Sequence, residues 1–111
     1  DLVEESHWTS AAGFDATNRL LDRTKDVTAI FAQSDLIAIG VMSALDKRGI
    51  RVPQGCAVVG CDDLPFASHL KPPLTSVHIP FYETGERAVA LLLERIKQSE
   101  GPLKRSLTSG P

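Results

Sequence analysis

Short apolar runs in this chain alternate with longer stretches in which apolar residues return every three or four positions. Residues 57–61 (AVVGC) form a compact apolar run without polar alternation, which predicts a strand buried on both faces. Residues 27–32 (VTAIFA) predict a second buried strand and residues 75–79 a third, while Leu2 to Glu4 offer two apolar residues for a short strand. Between them lie helical patterns. Phe14, Thr17, Leu20 and Leu21 follow a cap at Thr9 or Ser10, with Arg23 and Lys25 near the carboxyl end, where the helix dipole favours cations. A second helix is expected over residues 34–48, with Ser34 as N-cap, Asp35 in the first turn and Gly49 in the left-handed position past its end. Its Ile37, Val41, Ala44 and Leu45 make one stripe, expected to face the sheet. Ile39 and Met42 fall on the other side, and a helix apolar on two faces needs two neighbours. A short helix over 65–70 and a long one over 82–97, stopped by Gly101-Pro102, complete the pattern. Strand and helix alternating about four times argue for a parallel sheet covered by helices.

The most informative stretch is 49–80. The strand at 57–61 ends abruptly in Asp62 and Asp63, and acids so placed fall at the carboxyl edge of a parallel sheet, where open α/β folds bind ligands. Pro72-Pro73 then stop any helix before the next extended run. A loop bearing acids, a histidine and two prolines between two strands reads as a crossing between half-domains.

Composition narrows the class. The chain has 111 residues, 42% of them hydrophobic and 23% charged, enough for one small domain with a single core. A net charge of −2 leaves no electrostatic footprint for nucleic acid, and no apolar run reaches membrane-spanning length. Cys56 and Cys61, five apart, should point to opposite faces, which disfavours a bridge between them. Both read as small buried hydrophobes of a reduced compartment.

Catalytic chemistry finds little support. Acids at strand ends with His69 and His78 nearby could be drawn as a sheet-based hydrolase or a metal site. Yet the chain has no HxxxH or CxxC spacing, no GxSxG elbow and no glycine-rich phosphate loop. The expectation is a binding protein rather than an enzyme, without metal or cofactor.

Several segments in their order and spacing carry a resemblance. Arg51-Val52-Pro53, Val58-Val59-Gly60, Asp62-Asp63, Pro72-Pro73-Leu74-Thr75 and the helix opening at Glu83-Thr84-Gly85 are similar to the carboxyl-terminal part of LacI/GalR (lactose-repressor/galactose-repressor) regulators. The likeness extends upstream through residues 34–40 to the Trp8 region. It implies an α/β, type I periplasmic-binding-protein-like fold: residues 1–71 mostly in one lobe, 72–100 crossing to the other and 101–111 starting a return segment. The chain opens on Asp1 rather than methionine and is expected to be a fragment, with the family's helix-turn-helix outside it. Operator DNA would then be met only through that missing amino-terminal domain.

The resemblance also implies site residues. The family often carries an aromatic where Trp8 stands, a flat platform for a sugar ring or base. Ser34 and Asp35 match an Asn-Asp pair, with serine replacing an amide that often bonds the effector; capping the helix is at least as good a role for both. Asp62 matches the aspartate that accepts from effector hydroxyls, leaving Asp63 to cap the 65–70 helix. Cys61 replaces a usual Phe or Tyr, so this wall of the pocket should be roomier. Ile39, Met42, Phe66 and Leu70 match a homodimer interface. The function expected on this footing is sensing of a small sugar or nucleoside-like metabolite by a cytoplasmic regulator, with lobe closure controlling DNA binding. A periplasmic solute-binding protein of a sugar transporter, which shares the fold, is the alternative.

Overall fold

The computed structural model describes residues 2–98, which fall into two compact units dividing between His78 and Ile79. The first holds α1 (Ser10–Arg23), β1 (Ala29–Phe31), α2 (Asp35–Lys47), β2 (Ala57–Asp62), a 3-10 turn (Ala67–His69) and β3 (Thr75–His78). The second holds α3 (Phe81–Lys97). The expected helix stop at Gly101-Pro102 and return segment at 101–111 lie outside the described residues.

The three strands form one parallel sheet in the order β1-β2-β3. Residue 30 pairs with 58, and Asp62 stands beside His78 at the far end of the β2–β3 ladder. α2 supplies the crossover between the first two strands. Its start is set by the Ser34 hydroxyl, which accepts the Ile37 N–H at 3.1 Å. Its end is set by Gly49 at φ 71°, after which the Ile50 N–H returns to the Leu45 carbonyl at 2.9 Å. Thr9, rather than Ser10, caps α1 and accepts the Ala12 N–H.

The core lies between α2 and one face of the sheet. Ala38, Val41 and Leu45 of α2 meet Cys56 and Val58 of the β2 segment, closed off by Ala67 and Leu74 from the connection to β3. Ile37 and Ala44 are buried too, as the stripe predicts. The second neighbour that an apolar α2 requires is α1. The two helices cross at glycines: a Cβ on Gly40 would overlap the Ser10 carbonyl and the Phe14 amide nitrogen, and one on Gly13 would overlap the Ile37 carbonyl. Arg48, just past α2, fastens the lower crossing through Asn18 Oδ1 at 2.9 Å and Asp22 at 2.7 Å.

Four sequence expectations change. β2 is not buried on both faces: Val58 and Gly60 are buried, but Ala57, Val59 and Cys61 on the other face are half-buried. β1 is shorter than 27–32 and exposes Phe31. Cys61 accordingly is not a fully buried hydrophobe as Cys56 is, and both thiols are free. Leu2 to Glu4 form no strand. Instead Glu4 takes Arg19 and Arg23 of α1 at 3.1 Å each, while the two guanidinium groups donate to the carbonyls of Glu5 and Val3. Two arginines four apart on one helix face hold that segment against α1.

Described by itself, α3 carries Val89, Leu92, Leu93 and Ile96 along one side, all exposed. Glu83 in its first turn and Arg95 and Lys97 in its last suit the helix dipole. Among the described residues no helix is long and apolar enough to cross a membrane.

Candidate functional site

All three strands run the same way, so their carboxyl ends share one edge of the sheet. This edge collects the Ser34–Asp35 turn after β1, the Asp62–Asp63 turn after β2, and His78 at the end of β3. α2 starts here. α1 starts here too, because its first turns pack against the first turns of α2, through Gly13 on Ile37 and Ser10 on Gly40. Trp8, one residue before the α1 cap, therefore belongs to the same end of the unit, with 63% of its surface exposed.

Asp35 and the acid turn are joined directly. Asp35 is fully buried, and both its oxygens are engaged: Oδ2 accepts the Leu64 N–H at 2.7 Å and Oδ1 accepts the Ser76 hydroxyl at 2.7 Å. The Ser76 oxygen in turn accepts the Asp63 N–H at 2.9 Å. Space for the carboxyl comes from Gly60, where a Cβ would overlap Asp35 Oδ1. The turn so held is unusual, with φ 109° at Asp62 and 56° at Asp63. Left-handed conformations at non-glycine residues cost about 1–3 kcal/mol each and persist only where surrounding contacts determine them. Three hydrogen bonds at about 0.5–1.5 kcal/mol each are of the size needed to hold the pair there.

Asp62 is half-buried at the sheet edge. Asp63 is exposed, and its Oδ2 lies 3.3 Å from His78 Nδ1. Asp63 does not cap a helix as expected: the following segment narrows to a single 3-10 turn whose N-cap position, Phe66, makes no side-chain cap bond. The cap role belongs to Ser34, whose hydroxyl is buried beneath its own turn. Ser76 escaped sequence reading, and His78 enters it only as a candidate hydrolase or metal residue. The signal for Ser76 is its place near the end of a strand parallel to β2, two residues past Leu74.

Of the four expected interface residues, Ile39, Met42 and Leu70 line one open groove of ≈ 650 Å³ beside the end of α2, whereas Phe66 does not line it. Met42 and Leu70 also pack partly on the core, so Met42 does not stand opposite the core stripe as its spacing predicts. Among the described residues no group of His, Cys, Asp and Glu could hold a metal ion.

This arrangement, a parallel sheet with helices starting at its carboxyl edge and acids in the turns there, is that of an open α/β domain, a class in which ligands bind at this edge. The chain belongs to the periplasmic binding protein-like domain family, whose model matches residues 2–111. Within that family its relatives include transcriptional regulators of the LacI type. It is 37% identical over 100 residues to the HTH-type transcriptional repressor PurR of Vibrio cholerae serotype O1, covering 90% of this chain and 30% of the relative. It is 44% identical over 86 residues to the ribose operon repressor of Escherichia coli K12, covering 78% and 26% respectively. The chain thus spans less than a third of the length of these curated relatives. Among solved structures, the transcriptional regulator CelR–cellobiose complex superposes with a TM-score of 0.79 at 41% identity, covering 86% of this chain and 29% of that one. A LacI family regulator from Arthrobacter sp. FB24 in complex with lactose superposes with a TM-score of 0.77 at 33% identity, covering 92% and 37%.

Proposed function

We propose that this chain is the effector-sensing and dimerisation part of a bacterial LacI-type transcriptional regulator, acting in the cytoplasm as a homodimer and without enzymatic activity or cofactor. The observation that carries the reading is the gathering of Asp62, Asp63, His78 and the Trp8-bearing start of α1 at one sheet edge. A half-buried carboxylate accepts from two adjacent hydroxyls at once, and an exposed indole offers an apolar face to a sugar ring. Asp62 and Trp8 are therefore the effector contacts, and Ser34 and Asp35 serve the site from behind. The ligand closes this edge against a second lobe, and that closure alters the geometry of DNA-binding heads carried elsewhere in the protein. Repressors among the relatives support a regulator over a transport component, and the cellobiose and lactose complexes support a saccharide effector.

The test is titration of the full-length protein with ribose, lactose and cellobiose, followed by Trp8 fluorescence and calorimetry. The expected result is saturable binding of one sugar with a change in Trp8 emission. Asp62→Asn should weaken it by about 1.5–3 kcal/mol, the scale of a hydrogen bond to a charged group. Undiminished affinity in that variant would remove Asp62 from the site.

A further inference from the structure

The buried carboxyl of Asp35 has no solvent exposure to offer a ligand, and yet it sits under the acid turn with both oxygens used. Each of its partners belongs to a different element. Leu64 follows β2, Ser76 is on β3, and Asp35 itself opens α2. Gly60 in β2 makes the approach possible, because any side chain there would displace the carboxyl. We infer that Asp35 and Ser76 are positioning residues which, with the clearance at Gly60, lock the turn 62–64 in its left-handed form and so aim the Asp62 carboxylate out of the sheet edge.

The geometry accounts for the details. Following an extended strand, the chain at Asp62 would continue in line and carry its side chain to one face of the sheet. Positive φ at two successive residues turns it sharply aside, and neither residue is a glycine that would adopt this freely. The Ser76 hydroxyl is the pivot: its proton goes to Asp35 Oδ1 and its lone pair takes the Asp63 N–H, so one atom couples the buried acid to the strained backbone. Leu64 N–H on Oδ2 closes the other side of the turn. His78 Nδ1 faces Asp63 Oδ2 at 3.3 Å, outside the lock, and both groups are largely exposed. The lock therefore stands on uncharged donors meeting one buried carboxyl, and it does not depend on the His78 contact.

The consequence for binding rests on the reading of Asp62 as the effector contact, so the experiment separates the two. Amide exchange and backbone carbon shifts of residues 62–64 are measured by NMR in the full-length protein, beside ribose, lactose and cellobiose titrations. Ser76→Ala and Asp35→Asn should speed exchange at Leu64 by about tenfold or more, as expected for loss of such a bond, while core amides of α2 stay protected. The shifts marking left-handed Asp62 and Asp63 should move toward ordinary extended values. Ser76→Thr, which keeps the hydroxyl, should restore the wild-type pattern. Unchanged shifts and exchange in Ser76→Ala would overturn the lock whatever the sugars do. Should Asp35→Asn fail to fold, Ser76→Ala alone decides. A loosened turn with undiminished sugar affinity would keep the lock and sink Asp62 as the contact. A loosened turn and weakened sugar binding in Ser76→Ala, beside lost affinity in Asp62→Asn with the turn unaltered, supports both.

Discussion

Replacing Gly40 by alanine sets two opposed effects against each other. In an open helix the change stabilises by about 0.8–1.0 kcal/mol, because alanine loses less backbone freedom than glycine. At Gly40 the added carbon would overlap the Ser10 carbonyl and the Phe14 nitrogen, and both are backbone atoms of α1. No side chain can swing aside, so α1 must back away, loosening Leu21 from the core cluster that it shares with α2. Overpacking of this kind costs typically about 1–3 kcal/mol, and two separate backbone collisions place Gly40 toward the upper end. After the helix-propensity gain, the net loss should be about 1–2 kcal/mol. Gly85 in α3 is the contrast, since nothing lies within 4 Å of its missing Cβ. Gly85→Ala should stabilise by about 0.5–1 kcal/mol. Urea unfolding followed by circular dichroism reads both, with a midpoint falling by roughly 0.5–1 M for Gly40→Ala and rising for Gly85→Ala. A Gly40→Ala midpoint at or above that of the unaltered protein would refute the close crossing of α1 and α2.

Ile39→Glu places a charge at the rim of the α2 groove and, in a twofold contact, acts once on each subunit. It should turn a dimer into a monomer in light scattering while leaving the far-UV spectrum unchanged; identical mass in both proteins would remove this groove from the interface. Thiol labelling at pH 8 should modify Cys61 quickly and Cys56 only on unfolding, because burial pushes the Cys56 thiol above its ordinary 9.0. The same shift contributes stability that is complete below about pH 9 and is lost at higher pH, once the unfolded chain ionises its thiol before the folded one does. Denaturation midpoints that stay flat from pH 8 to 10.5 would contradict this.

Much of the fold could be read in the chain because its signals are local. Ser34 three residues before Ile37, and Gly49 just past Arg48, mark the ends of α2 through bonds spanning a few residues. The apolar run at 57–61 likewise announces β2. What could not be read depends on distant partners. Whether β2 is covered on one face or both is decided by what packs on Val59 and Cys61, and their apolar character does not say. Met42 stands 140° round the helix from Ile37 by spacing, yet Leu70 and the segment around Ile50 bring core to it. The acid turn shows the limit most clearly. Adjacent Asp62 and Asp63 suggest one ligand and one cap, but Asp63 caps no helix. The carboxyl that holds the turn is Asp35, 29 residues from the amide whose N–H it accepts and 41 from Ser76. The resemblance placed Asp35 near the site, and only the three-dimensional contacts distinguish a residue that would touch an effector from one that supports its neighbour.

The pairing of Glu4 with Arg19 and Arg23 bears on how firmly the exposed Trp8 is held. Trp8 hangs on a short span fastened at one end by Glu4 and at the other by the Thr9 cap. An untethered arm of four residues would wander over roughly 11 Å, from about 5–6 Å times the square root of its length. Closed at both ends, the span keeps little of that freedom, and the entropy of ordering the indole is spent when the domain folds rather than in any later contact Trp8 makes. The clasp is ionic and partly exposed, so its grip weakens as salt rises. Trp8 would then grow mobile well before the helices beneath it begin to melt.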